Sequence, residues 1–246
     1  ILFAFAAWEA ISISGLVSQE LMPRLHLIFA ALLSFVNDPS FWNEVWLSTV
    51  RAAAGLTFAV LIAMGLAILS GRYARVKNML EPLTNFLRGI PPPAIIPMLI
   101  FLVGLGEPLY LGVIAFGCIW PVYISASNAL SAPEPVQIHT ARIFGLSDWQ
   151  TLWQVRLPAA LPEAMTGLRL SSSIALLSAV ATEMLMGGNG IGALIFNAGF
   201  NLLWDEMYAL MIVIGILGIV FNVVVEVFRR SLSGWQVKLA KMGNAT

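Results

Sequence analysis

The sequence predicts an all-α, polytopic membrane protein with about six transmembrane helices. Of its 246 residues, 59% are hydrophobic, and only 13 are basic and 13 acidic, whereas about a quarter of the residues in an ordinary soluble domain are charged. Two stretches, residues 52–71 and 108–133, contain no charged residue, and ~20 apolar residues suffice to cross a bilayer. We therefore expect one transmembrane domain over residues 1–246 rather than a water-soluble core.

The first part of the chain contains one predicted span and one helix that is too short to span. Residues 1–17 form an apolar run with Glu9 inside it, and we interpret this run as the first span. A cleaved signal peptide is the alternative, but no basic n-region precedes the run. Because residue 1 is Ile rather than Met, we expect that a native N-terminal segment is missing. Residues 27–37 are short of the length of a span and are expected to lie along the membrane surface.

The second and third spans differ in composition. The second, residues 52–71, carries alanines and glycines at helical spacing, which favour close packing against another helix. The third, residues 80–106, is interrupted by three prolines at 91–93 and by Pro97. Two interpretations stay open: a broken helix that lines a substrate site, or a helix that begins at the prolines, with residues 80–89 outside the membrane core.

Three further spans are predicted in the second half of the chain, at residues 108–133, 163–186 and 207–227. The fourth ends near Ser131, and Arg229 and Arg230 stop the sixth. The glycine-rich residues 187–192 match neither of the two glycine motifs that bind phosphates or dinucleotides, and no strand precedes them. We therefore predict a turn that leaves the membrane there.

A polar interval with a helical pattern separates the fourth and fifth spans. Within residues 137–158, the apolar positions suit two short helices that break near Gly145, because glycine tolerates the turn. Ser147 is placed to cap the second helix with its hydroxyl. Leu157-Pro158 is expected to end that helix, because proline cannot extend one.

This interval resembles the EAA loop of the permease subunits of ABC-type importers. The resemblance rests on a small-residue pair, a glycine and an aliphatic-x-Leu-Pro sequence: Thr140-Ala141, Gly145, Val155, Leu157 and Pro158. His139 stands where the family usually has an acid. Other segments are similar to the permeases for aliphatic sulfonates, taurine and nitrate: Leu87-Arg88, Ile90-Pro91-Pro92, Gly104-Leu105-Gly106, Pro162, Thr166-Gly167-Leu168-Arg169, Ala181-Thr182-Glu183 and Gly190-Ile191-Gly192. The resemblance covers most of the chain and implies a type I importer permease fold.

The resemblance also implies a function and a set of partners. A non-catalytic permease subunit would form, with a second permease subunit that is a copy or a homologue, the pathway for a small anion. Two ATPase subunits would bind ATP-Mg, this chain binding no cofactor itself, and a periplasmic or lipid-anchored solute-binding protein would deliver the substrate. The alternative is a self-sufficient secondary transporter or channel, which predicts internal repeats, and no convincing repeat is visible.

Basic residues are divided unequally between the two sides of the predicted membrane. One set of connections holds nine of them: Arg72, Arg75, Lys77, Arg142, Arg156, Arg229, Arg230, Lys238 and Lys241. The other set holds Arg24 alone. Because cytoplasmic loops carry the excess of Lys and Arg, the loop at residues 137–158 and both termini are predicted to be cytoplasmic in a bacterial inner membrane.

A short amphipathic segment held between two spans is suited to docking in a groove on a soluble partner. The predicted anchors are Ile143, Phe144, Leu146, Trp149 and Trp153. The predicted ATPase-coupling residues are Thr140, Ala141, Phe144, Gly145, Trp149, Trp153, Leu157 and Pro158. The alternative is an interfacial helix whose aromatic rings lie among the lipid headgroups.

Three charged residues in or at the ends of spans are candidates for the substrate pathway: Arg51, Arg88 and Glu183. A charged group within a membrane is costly enough that it usually faces a partner or a watery cavity. Glu183 either pairs with Arg51 or gates the pathway beside the substrate, and the repulsion between a bare carboxylate and an anion favours the pairing. Arg88 either attracts substrate or caps the start of the third span.

The sequence shows no pattern typical of a catalytic or metal site. His26 and His139 look isolated, Cys118 is the only cysteine, and neither a nucleophile elbow nor a catalytic carboxylate pair is visible. The net charge of zero and the absence of basic clusters interleaved with aromatics give no basis for nucleic-acid binding. We therefore predict that the chain is not an enzyme by itself and binds no metal.

Overall fold

The structure, a computed structural model, describes residues 2–14, 17–18, 20–131 and 135–243, with side chains for 6–14, 17–18, 20–131 and 136–231. These residues form helices and no strand, as the sequence predicts. The helices are α1 (Leu2–Ser14), α2 (Leu25–Asn37), α3 (Pro39–Arg72), α4 (Ala74–Leu87), α5 (Ile96–Val103), α6 (Glu107–Ser131), α7 (Pro135–Ile143), α8 (Asp148–Thr151), α9 (Leu157–Met186), α10 (Ile191–Phe200) and α11 (Trp204–Gly243). A 3-10 turn at Pro92–Ile95 precedes α5, and a π-helical turn at Leu152–Arg156 joins α8 to α9. Ile1 and the side chains of Lys238 and Lys241 lie outside the described part.

Four helical segments in the described part are long and apolar enough to cross a membrane: Pro39–Arg72, Glu107–Ser131, Asp148–Met186 and Trp204–Ser231. They contain the predicted second, fifth and sixth spans and residues 108–131 of the predicted fourth span. The bent pair Ala74–Leu87 and Pro92–Val103 makes a fifth if it counts as one span. Helix α1 has 13 described residues, fewer than the ~20 that a span needs, so it is not among these segments. Helix α2, also 13 residues long, is short as expected.

Helix α3 begins well before the predicted start at residue 52. Pro39 is its first residue, where the fixed φ and missing N–H of proline fit a helix start. The Asp38 carboxylate precedes it and accepts hydrogen bonds from the Ser40 backbone N–H and hydroxyl, at 2.8 and 2.7 Å, and these bonds lower the pKa of Asp38. The helix start is therefore set by an Asp-Pro cap, and the charged Arg51 lies inside the helix.

The prolines at 91–93 separate two helices rather than kinking one. Helix α4 ends at Leu87, the chain becomes helical again at Pro92, and the two parts meet at 99°. The helix is thus broken at the prolines and starts again at Pro92, a geometry that both interpretations left open by the sequence share. The proline turn packs on α6, because a Cβ placed on Gly117 would lie 2.6 Å from the Pro92 ring.

The prediction that Leu157-Pro158 ends a helix is wrong. The helical path runs without a break from Asp148 to Met186, so the helix that contains the predicted fifth span begins well before residue 163. In the π-helical turn the Leu157 N–H donates to the Leu152 carbonyl, five residues earlier. This wider turn relieves the clash between a proline ring and the carbonyl four residues before it, which would otherwise break an α-helix.

The chain divides into two compact units, each with its own core. One unit comprises Ile1–Arg51 and Ala179–Val220, and the other Ala52–Ser178 and Phe221–Thr246. The core of the first unit is formed by α2, the start of α3, α10 and the start of α11, with the buried residues Ile28, Ala31, Phe41, Ile191, Ile195, Ala198, Ala209 and Leu210. In the first unit the His26 ring also lies 3.4 Å from Glu9, so His26 is not isolated.

The core of the second unit confirms that the small residues of the second span serve helix packing. Ala63 and Ala67 of α3 are fully buried against Val122 and Ala126 of α6. A Cβ placed on Gly55 would lie 2.5 Å from the Ile114 side chain. Such small side chains allow two helices to approach closely, and here they bring α3 against α6.

Candidate functional site

The loop between α6 and α9 is held by two interlocking helix caps. Helix α7 ends at Ile143, and Gly145 follows with φ +72°. The Gly145 N–H donates to the Arg142 carbonyl and the Leu146 N–H to the Ala141 carbonyl, both at 3.0 Å. This pair of bonds is a Schellman motif, in which glycine supplies the left-handed residue. The predicted break at Gly145 is confirmed.

Two residues after the glycine, the next helix begins with a capping box. The Ser147 hydroxyl accepts from the Gln150 N–H at 3.3 Å, and the Gln150 side chain accepts from the Ser147 N–H at 2.8 Å. The predicted capping role of Ser147 is confirmed. With a C-terminal motif at one helix and an N-terminal box at the next, the turn between α7 and α8 has a defined conformation.

Four large apolar side chains of this loop are exposed, and we call them the loop face: Ile143, Phe144, Trp149 and Trp153. Their exposed fractions are 84%, 78%, 57% and 45%. The two indole rings meet edge to face, with 5.5 Å between their centroids. The loop face is therefore apolar and exposed, and the two caps hold its backbone in a defined conformation.

The other predicted coupling residues contribute to the support of the loop. Ala141 is buried, and its carbonyl accepts the bond from Leu146. The Thr140 carbonyl accepts from the Phe144 N–H at 3.1 Å, and its side chain is exposed. Leu157 and Pro158 are half-buried in the helical path of α9, and the predicted anchor Leu146 is also only half-exposed.

The structure brings Arg51 and Glu183 together in a buried ion pair. The Arg51 Nη1 atom lies 3.1 Å from Glu183 Oε1, and the exposed fractions of the two side chains are 6% and 0%. The Ser48 hydroxyl lies 2.9 and 2.8 Å from the two carboxylate oxygens, and the Gly192 N–H donates to Oε2 at 3.1 Å. The carboxylate is therefore both paired and hydrogen-bonded, which is what a buried charge requires.

The glycine-rich turn after α9 closes over this ion pair. Arg51 donates to the Asn189 carbonyl at 2.7 Å, and the Gly190 N–H donates to the Glu44 carboxylate. Gly190 has φ +114°, and a Cβ at this position would overlap the Glu183 carboxylate. We call this arrangement the carboxylate clasp: Glu44, Ser48, Arg51, Glu183 and residues 189–192.

Arg88 belongs to the other unit. Its backbone is the C-cap of α4. Its exposed side chain and Lys77 line a cavity of about 250 Å³ between α4 and α6, together with Glu81 and Ser127.

Comparison with known proteins establishes the family. Residues 55–235 match the model of the binding-protein-dependent transport system inner membrane component. The chain belongs to this family. The permease is 29% identical over 233 residues to the taurine transport system permease protein TauC of Escherichia coli, a match that covers 93% of this chain and 85% of TauC. It is 33% identical over 187 residues to the nitrate import permease protein NrtB of Synechocystis, covering 76% and 68% of the two chains.

A solved structure shows the fold. The permease superposes on a chain of the inward-facing MetNI methionine ABC transporter with a TM-score of 0.68, covering 80% of this chain and 99% of the other at 18% identity. The helical permease fold of an ABC importer is thereby confirmed. Together with the family match, it identifies the chain as a membrane component of an ABC importer rather than a catalytic subunit.

One charged residue that sequence reasoning left out of the pathway is Arg169. It lies within the membrane-spanning part of α9 and is exposed, as are Thr166 and Ser173 on the same face. The next turn of the helix contacts α11, because the hydroxyls of Ser172 and Ser173 both donate to Asn222 Oδ1, at 2.6 and 3.2 Å. A cation exposed in mid-span is costly in lipid, and this cost is the sequence signal that could have placed Arg169 among the candidates.

Proposed function

We propose that the permease imports a small anion as part of an ATP-driven transporter, and that its loop face docks on a partner ATPase subunit. The observation that carries this proposal is the loop face, in which Phe144 is exposed between the two helix caps and Trp149 is exposed in the first turn of α8. Aromatic side chains on a rigid backbone are the usual anchors of a protein interface, because they bury much area for little loss of conformational entropy.

Docking at this loop explains how ATP hydrolysis reaches the pathway. The π-helical turn at Leu152–Arg156 joins α8 directly to α9, so that α8 and the span form one continuous helical path. A displacement of the loop by an ATPase subunit would then move α9 as a body, which is the rigid-body coupling that transporters use. ATP-Mg would bind only to the ATPase subunits.

The anion and the remaining partners are supported by charge and by the relatives. Of the three arginines in or at the ends of the predicted spans, Arg51 is neutralised by Glu183. Arg169 and Arg88 are then the ones that can attract an anion into the pathway. Arg169 would face a second permease subunit across the pathway, because there its charge avoids lipid. The names of TauC and NrtB refer to taurine and nitrate. A solute-binding protein would deliver the substrate from outside.

The orientation follows from the distribution of basic residues. Because nine of ten assigned cations fall on one side, we place the loop face and both termini in the cytoplasm of a bacterium whose inner membrane holds the permease. That side is where an ATPase subunit would meet the loop face.

The docking proposal is tested by changing the loop face without changing the fold. Phe144→Ser and Trp149→Ser remove exposed side chains, so the permease should insert normally but should no longer retain the ATPase subunit encoded beside it during purification. Phe86→Ser is the matched control, since Phe86 is an exposed aromatic on α4 with a similar exposed fraction of 70%. Retention of the ATPase by both loop variants at the level of the control would refute the docking role.

A further inference from the structure

A basic cavity lies between the loop and the end of α3. Its volume is about 250 Å³, and the charged residues that line it are Arg72, Arg142, Arg156 and Asp148. Three arginines and one aspartate give this cavity a net charge of +2 (three minus one). The coupling function assigns no role to these arginines. We propose that the cavity binds a tetrahedral oxyanion of the phosphate type.

The charges of the cavity are only partly compensated by the protein. Arg72 Nη1 lies 3.1 Å from Asp148 Oδ2, so these two neutralise each other. Asp148 is the one carboxylate among the described lining residues, so Arg142 and Arg156 have no acidic partner there. Because Arg72 already neutralises Asp148, the positive charges of Arg142 and Arg156 are not balanced by a carboxylate in the cavity lining, and they favour an anionic ligand.

The Arg156 guanidinium is only partly hydrogen-bonded by the described residues. Its Nη1 atom donates to the Gly71 carbonyl at 3.3 Å, whereas its buried Nε–H has no hydrogen-bond partner among the described residues. Buried donors are nearly always satisfied. Arg156 is also the last residue of the π-helical turn, and such turns are frequent at functional sites because they alter where side chains project.

The chemistry of the cavity selects the ligand. A guanidinium offers two parallel N–H donors that match two oxygens of a phosphate group. Since a water molecule occupies about 30 Å³ in the liquid, the volume accepts one oxyanion together with several waters. The bound group would join Arg142 of α7 to Arg156 of the π-helical turn that precedes α9, next to the end of α3. Its source is either the phosphate of an anionic lipid headgroup or a free oxyanion in solution.

The purified permease in lipid nanodiscs distinguishes these sources. In discs of phosphatidylcholine, inorganic phosphate should raise the melting temperature in a saturable way beyond the effect of sodium chloride at equal ionic strength, if the ligand is a free oxyanion. If the ligand is a headgroup, discs that contain phosphatidylglycerol should raise it, and phosphate should add nothing further.

Variants of the arginines show whether the rise in melting temperature comes from binding in this cavity. Arg142→Gln and Arg156→Gln should each weaken the response roughly tenfold in ligand concentration, because each removes a charge-assisted hydrogen bond. Arg156→Lys keeps the positive charge but loses the two parallel N–H donors of the guanidinium, so its response should lie between those of the unchanged permease and Arg156→Gln. Arg75→Gln is the matched control, since Arg75 is exposed and does not line the cavity.

Either source supports the site, provided that the response depends on the two arginines. An equal response in Arg142→Gln, Arg156→Gln and Arg75→Gln, or no response to phosphate or phosphatidylglycerol, overturns it. Because Arg142 is exposed, Arg142→Gln decides the matter even if Arg156→Gln fails to fold. ATPase docking plays no part in this measurement, so its outcome is independent of the proposed coupling.

Discussion

Neutralising Glu183 should destabilise the permease, and neutralising Arg51 at the same time should restore part of the loss. Glu183→Gln keeps the shape of the side chain but removes the negative charge that faces the buried Arg51 guanidinium, while the bond from Arg51 to the Asn189 carbonyl stays in place. Removing one partner of a buried ion pair costs about 3–5 kcal/mol. Because the Asn189 bond stays in place, we expect a value near the lower limit, about 3 kcal/mol.

The reverse change has a similar cost for a different reason. Arg51→Gln leaves the Glu183 carboxylate buried, although the Ser48 hydroxyl and the Gly192 N–H still hydrogen-bond to it. We again expect about 3 kcal/mol. The double variant buries two neutral amides, so it should lose about 4 rather than 6 kcal/mol, a coupling of roughly 2 kcal/mol.

Thermal unfolding of the purified transporter measures these losses. For a domain of this size about 3 kcal/mol corresponds to a decrease in melting temperature of roughly 6–12 °C. Glu226→Gln is the control, because Glu226 pairs with Arg229 and Arg230 on a partly exposed part of α11 and such local pairs contribute little to stability. Strictly additive losses in the double variant, or an altered substrate preference at unchanged stability, would show that Glu183 gates the pathway instead.

Three further predictions test the loop, the orientation and the pathway. Gly145→Val should abolish substrate-stimulated ATP hydrolysis, and Gly145→Ala should reduce it less. The reason is that φ +72° is least accessible to β-branched residues, while no atom crowds the added Cβ. Normal hydrolysis in both variants would show that backbone strain at this turn does not affect coupling. With the native Cys118 buried, a cysteine at His139 should react with an impermeant thiol reagent only from the cytoplasm, and one at Asn201 only from outside; the opposite labelling would invert the orientation. Arg169→Gln should slow anion uptake roughly tenfold with the melting temperature unchanged, and Arg169→Lys should retain uptake.

Local features of the loop could be predicted from the sequence because their causes are local. A glycine between two helical patterns, with a serine two residues later, is enough to predict a helix break and an N-cap. Both lie where predicted, at Gly145 and Ser147. The Arg51–Glu183 pairing was predictable over a long sequence separation for another reason: the cost of a lone charge in a membrane restricts its possible partners to the few opposite charges at a similar depth.

Helix boundaries were predicted wrongly where the cost of a single residue within a helix is offset by its surroundings. Arg51 was taken as the limit of a span, yet its charge is paired and the helix continues past it to the Asp38 cap. Pro158 was taken as a helix end, yet the π-helical turn before it makes room for the ring. A charge pattern does not show where a charged residue finds its partner, and no composition signal distinguishes a π-helical turn from an α-helical one.

The glycines at 190 and 192 do not form a phosphate-binding loop, as predicted, but they have a structural role that the sequence analysis did not predict. The sequence excludes a phosphate-binding loop there, and a turn is what the structure contains. The turn nevertheless has a specific role, because Cβ atoms at Gly190 and Gly192 would overlap the Glu183 side chain or the Val180 carbonyl. Both positions must lack a side chain so that the Gly192 N–H can reach the carboxylate. Glycine is therefore required here by the burial of Glu183, and the turn and the ion pair have to be explained together.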